Sequence, residues 1–181
     1  TTLWGRASVQ ALDNLGLAFN LAHGDREPST YGVAYWFPDP QNPLMRKFNL
    51  AARKRDTAGA RADWAATDKV SVGLGVDYAN DDYDETVIGL NESESTNVVA
   101  DLSVAATDAT RLHAFAQGEQ TDSRQTGSQS YGAPDWTGKV KDRIRVLGFG
   151  IKHAAIADKL CFVKSMHTEA VNHAPAISFF L

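Results

Sequence analysis

Apolar residues recur at every second position along most of this chain. Val70, Val72, Leu74, Val76 and Tyr78 alternate with Ser71, Gly73, Gly75 and Asp77. Leu15, Leu17, Phe19 and Leu21 alternate with Gly16, Ala18 and Asn20, and Val98, Ala100, Leu102 and Val104 with Val99, Asp101 and Ser103. The same period governs Ala58, Ala60, Ala62 and Trp64, and again Leu147, Phe149 and Ile151, which are interleaved with Gly148 and Gly150. Successive side chains of a strand point to opposite faces, so a period of two predicts strands with one apolar face. The stretch from Arg111 to Gln120 is less clean, because His113, Phe115 and Gln117 share a face.

The connections predict how these strands are joined. Four short links resemble one another: Ala11–Asn14, Ala65–Asp68, Ala105–Asp108 and Ala155–Asp158. Each places an aspartate, at 13, 68, 108 or 158, where the chain must reverse. Asp suits a tight turn because its carboxylate bonds nearby backbone and it tolerates turn dihedrals. The other connections are long and polar, running from Asp25 to Ala52, Asn80 to Ser95 and Thr121 to Lys141. Alternating strands of about nine to eleven residues, with short turns at one end and long loops at the other, predict an all-β, antiparallel up-and-down transmembrane β-barrel segment of about seven or eight strands. Soluble sandwiches have shorter strands and no consistent loop asymmetry.

The faces sort the candidate residues. In a barrel of this kind, Leu17, Phe19, Leu21, Val72, Leu74, Val76, Leu147, Phe149 and Ile151 face lipid. Arg61, Asp63, Gly73, Gly75, Asp77, Gly148 and Gly150 face the lumen. A soluble small-barrel binding module is the alternative, with Leu74 and Val76 in its core and Asp77 in water. Trp64, Tyr78 and Tyr83 lie near strand ends, where interfacial aromatic girdles sit.

Composition narrows the chemistry. Hydrophobic residues make up 43% of the chain and charged residues 22%, enough to fold. The net charge of −4, from 18 basic and 22 acidic residues, argues against nucleic acid as a partner. Cys161 is the only cysteine, which excludes a disulfide framework, a Cys-rich zinc site and the C-x-x-C-H attachment of c-type haem. The carboxylates of Asn80–Glu85 lack the spacing of a calcium loop and read as a solvated acidic loop. Histidines 23, 113, 153, 167 and 173 form no close metal-binding pair, and no nucleophile elbow is present, so no enzyme is expected. Asn91-Glu92-Ser93 matches a glycosylation sequon, a short motif that also arises by chance.

Several stretches in order resemble the MtrB/PioB family of decahaem-associated outer-membrane β-barrel proteins. They are Val9–Leu15, Asn42–Leu50, Arg53–Asp56, Gly59–Asp63, Gly75–Tyr78 with Asp81–Tyr83, Gly127–Trp136, and Asp142–Ile144 leading into Gly148–Gly150. The resemblance covers about residues 1–160, taken as a β-barrel segment, with 161–181 as a divergent C-terminal tail in which alternation fails. The family's N-terminal cysteine motif has no counterpart. The resemblance implies a sheath in the bacterial outer membrane that houses a periplasmic decahaem c-type cytochrome for electron transfer. It allows an extracellular multihaem cytochrome as a second partner, and the haem c is carried by the partner, with no cofactor of the chain's own. It also implies that the strand glycines let an inserted protein approach the wall. A general porin shares the fold. Eight strands closed alone make a pore filled by its own side chains, so the chain is expected to form an arc of a larger barrel.

Overall fold

The computed structural model describes residues 1–28, 42–130 and 132–154. Seven strands make one antiparallel sheet in sequence order: β1 (Thr2–Leu12), β2 (Leu15–Arg26), β3 (Arg53–Thr67), β4 (Val70–Asp82), β5 (Gly89–Thr107), β6 (Thr110–Gly127) and β7 (Trp136–His153). Each strand pairs only with its neighbours in sequence, and β1 and β7 do not meet. Among the described residues no helix is long and apolar enough to cross a membrane, which says nothing of crossing by strands.

Three of the four expected turns join β1 to β2, β3 to β4 and β5 to β6; the fourth, at 155–158, lies outside the described residues, as does the tail 161–181. The local side-chain bonds come from Gln10 Nε2, donating to the Leu12 carbonyl at 2.8 Å, in the first turn and from threonine in the other two, rather than from the expected aspartate. Thr67 Oγ1 accepts from the Lys69 and Val70 amides at 3.2 and 3.1 Å. Thr107 Oγ1 accepts from the Ala109 amide at 3.3 Å. The hydroxyl one residue before the Asp is close enough to cap the turn backbone.

The register shows that the strands are tilted. Leu15, the first residue of β2, lies opposite Trp64, and β3 continues for three more residues, to Thr67. Val70, the first residue of β4, lies opposite Val104, and β5 again continues for three, to Thr107. Trp64 in turn lies opposite Val72 while β4 starts at Val70, so each turn is displaced two residues, about 6.6 Å, for every two strands, which themselves span about 10 Å. That ratio of rise to width corresponds to a tilt of about 35°, within the range of transmembrane barrels.

The long connections are shorter than the sequence predicts. β4 runs on to Asp82 and β5 starts at Gly89, while β6 reaches Gly127 and β7 starts at Trp136. Pairs such as Glu94 with Asp122 and Ser93 with Ser123 lie in regular register although both faces are polar. Backbone pairing continues there without an apolar period to reveal it.

Among the described residues, the sheet has no core beneath it. The buried apolar residues are Ala51, Ala52, Tyr83 and Ile88, all at the long-loop end. There the chain around Met45 forms a parallel bridge to Ile88. The Arg46 amide donates to the Ile88 carbonyl at 2.8 Å, and Arg26 Nε donates to the Ala51 carbonyl at 3.0 Å. Gly89 has φ of +129°, and a Cβ there would run into the Arg46 carbonyl, so this crossing requires glycine.

Candidate functional site

The functional element is the wall itself, whose two faces follow from the register. Directly paired residues of an antiparallel ladder share a face. One row links Leu17, Ala62, Leu74, Ala100, Ala116 and Leu147. The next rows link Leu15, Trp64, Val72, Leu102, Ala114 and Phe149, and Phe19, Ala60, Val76 and Val98. The nine residues expected to face lipid therefore lie together on one apolar face. Phe149 is 93% exposed, Leu147 83%, Ile151 71% and Leu74 54%, and no other part of the described chain covers them.

Along β4 this face runs from Val70 to Tyr78, about 26 Å of strand and about 21 Å of height at the observed tilt. That is a little short of the ~25 Å apolar band of outer-membrane barrels. Trp64 and Tyr78 stand near its two ends, both substantially exposed, as girdle residues do. Tyr83 does not belong to that girdle, because it is 3% exposed in the loop-end core. The band slants across the register. Its loop-side edge is at Leu21 on β2 and at Leu147 on β7, which lies in the Leu17 row, four residues nearer the turns. Turns and band shift in the same direction, as a tilted sheet crossing a flat slab requires.

The opposite face gathers the residues expected in the lumen. Arg61 lies opposite Gly75, Asp63 opposite Gly73, and Asp77 opposite Gly59. Arg61 holds Asp63 at 2.8 Å and Asp101 at 3.1 Å. This bridge spans β4 because position 73 carries no side chain; a Cβ on Gly73 would meet both Arg61 and Asp101. Gln117 Nε2 donates to Asn97 Oδ1 at 2.9 Å on the same face. Over Gly148 lies the ring of Phe115, while nothing comes within 4 Å of a Cβ on Gly150. The space over Gly73 and Gly148 is thus taken by the chain's own side chains, and Gly150 alone of these three is open.

Asp101, Asn97, Phe115 and Gln117 were not separable as site residues in the sequence. Their signal is the register: each pairs with a residue of the polar face, as Asp101 does with Gly73. The polar face is not uniformly polar, since Trp4 on β1 and Val140, Ile144 and Val146 on β7 share it and are exposed.

Of the acidic residues expected in a solvated loop, Asp82, Asp84 and Glu85 are exposed, but Asp81, still within β4, is buried. Asp81 is 7% exposed and receives Arg55 Nε at 2.6 Å, with Arg53 Nε at 3.5 Å. Asp84 receives Lys54 Nζ at 2.6 Å, a hydrogen bond and opposite charge that hold its carboxyl below the usual range. The cations of β3 thus neutralise Asp81 and Asp84. Among the described residues no three His, Cys, Asp or Glu side chains gather as metal ligands. Asn91 of the sequon is half-buried and donates to the Thr86 carbonyl at 2.7 Å.

Comparison with known proteins agrees with this geometry. Residues 1–165 match the family described as outer membrane beta-barrel porin, MtrB/PioB. The chain is 36% identical over 152 residues to "Outer membrane protein MtrB" of Shewanella baltica (strain OS185), an overlap covering 84% of this chain and 22% of that protein. The chain therefore spans about a fifth of the curated relative it matches. With a sheet of tilted antiparallel strands, one bare apolar face and one ion-paired face, this chain belongs to the MtrB/PioB family of outer-membrane β-barrel porins.

Proposed function

We propose that the chain is an arc of the wall of a wide outer-membrane barrel that sheathes a periplasmic multihaem c-type cytochrome. The carrying observation is the contrast between faces. Leu74, Leu147 and Phe149 stand bare on one face, while Arg61, Asp63, Asp101, Asn97 and Gln117 form a polar network on the other. Lipid satisfies the first face and a hydrated or protein-filled lumen the second. A seven-stranded arc leaves two strand edges to be paired, which further strands of a larger barrel supply. With Cys161 as its single cysteine, this stretch holds no C-x-x-C-H attachment of its own, which fits haem carried by the partner.

In this role the wall does no chemistry. It excludes lipid and bulk solvent from the electron carrier and fixes its position. A general porin is the competing reading, since the same wall around water would conduct solutes. The test is co-purification: the tagged chain, in its native genomic context, is extracted from outer membranes in mild detergent and scanned for haem absorbance. A stoichiometric Soret band from a separate cytochrome is expected. A folded membrane barrel without haem would favour the porin, and recovery in the soluble fraction would overturn both.

A further inference from the structure

β7 differs from the other strands on its outward face. Leu147, Phe149 and Ile151 lie in the apolar band, and the same face continues toward the loop end as Arg145, Arg143, Lys141 and Lys139. At the corresponding height the neighbouring strands are mainly acidic or neutral: Asn80 and Asp82 on β4, Glu94 and Glu92 on β5, and Gln120 and Asp122 on β6, whose one cation at that height, Arg124 opposite Lys139, is paired with Glu92 at 3.2 Å. All four cations are exposed. Lys141 pairs with Asp122 at 3.2 Å, and Arg143 donates to the neutral Gln120 at 3.2 Å. Arg145 and Lys139 have no carboxylate partner among the described residues. Consecutive outward residues on a strand are about 6.6 Å apart, so like charges line up with incomplete neutralisation.

We infer that this stripe binds the phosphorylated headgroup of an anionic lipid in the outer leaflet, with its acyl chains on Leu147, Phe149 and Ile151. Long loops mark the extracellular side of such barrels, which puts the stripe in the outer headgroup layer. The apolar and cationic parts are continuous on one strand, which fits an amphiphile better than a free anion or a soluble acidic protein. Arg143 and Arg145 offer planar guanidinium forks matched to phosphate oxygens. This inference rests on the apolar face being lipid-facing.

The test uses the chain extracted from outer membranes in neutral detergent and titrated with fluorescent lipid A. An Arg143→Gln/Arg145→Gln variant is expected to bind about tenfold or more weakly. Arg143→Lys/Arg145→Lys should retain most of the affinity, and Lys152→Gln, on the opposite face of β7, all of it. Lipid A stripped of phosphate should bind the parent chain as weakly as intact lipid A binds the double Gln variant. Equal binding by parent and double Gln variant would overturn the inference. So would displacement by inorganic phosphate or polyglutamate at concentrations comparable to lipid A. A parent chain that enters neutral phosphatidylcholine vesicles but ignores lipid A removes this site alone. One that does not enter them removes the lipid-facing assignment with it. Haem co-purification is independent of all these readings.

Discussion

Replacing Leu74 by Arg tests the assignment of the two faces. Leu74 sits midway between Val70 and Tyr78, the ends of the apolar band on β4, with two outward residues between it and each edge counted inclusively. It is 54% exposed and its row continues through Ala62 and Ala100 into Leu147, so no polar group of that row can receive a guanidinium. An Arg at the midplane of a transmembrane barrel costs about 2–4 kcal/mol, equivalent to about a 30- to 900-fold loss in the folded-to-unfolded ratio. Asp77→Lys is the matched control. Asp77 is three residues away, exposed on the polar face opposite Gly59, and its replacement should cost within about 1 kcal/mol. Both variants are compared by urea titration of the outer-membrane protein in vesicles, with heat-modifiable gel migration as the readout of the folded barrel. Equal costs would refute the two-faced wall. A silent Leu74→Arg beside a damaging Asp77→Lys would invert it.

Three further expectations follow from local geometry. Gly73→Val should destabilise by about 1–3 kcal/mol, because its side chain displaces the Arg61–Asp101 bridge, whereas Gly150→Val, with open space around it, should be tolerated; urea midpoints distinguish them. Ile88→Ala removes the largest fully buried side chain and should loosen the loop-end core by about 2–4 kcal/mol, seen as faster proteolysis between β4 and β5. The Lys54–Asp84 contact holds the Asp84 carboxyl below its usual pKa, so what the pair contributes is complete above the ordinary carboxylate range and is lost as pH falls through the lowered value; backbone exchange at Asp84 should rise only in that acid window, and Asp84→Asn should abolish the pH step.

How much of the wall was legible depended on whether burial imposed a period. Where one face is uniformly apolar, as from Val70 to Tyr78, alternation alone located the strand and sorted Leu74 from Gly75. Beyond the band that constraint vanishes. From Asn91 to Asn97 and from Gln120 to Gln125 both faces are polar, and strands continue by backbone pairing and bonds such as Arg124 to Glu92 at 3.2 Å. Such segments look like loops in sequence. The buried state of Tyr83 and Asp81 was equally hidden, because it lies where separate connections meet, with Met45 bridging to Ile88 and the β3 arginines reaching Asp81. The face shared by Arg61, Asp63 and Asp77 could be anticipated, but Asp101 as Arg61's second partner required the register of β4 against β5.

The neighbour-only pairing of the strands has a consequence for how such walls change size. Each hairpin is closed by its own turn, as at Thr67–Val70, and advances the register by the same two residues as the hairpin before. Inserting or deleting one hairpin therefore alters the perimeter in a fixed step while leaving the tilt and the height of the band unchanged. Girth becomes a modular quantity, set by the number of copies of one unit rather than by redesign of any strand. A lineage can then fit its wall to a thicker or thinner occupant through duplication alone.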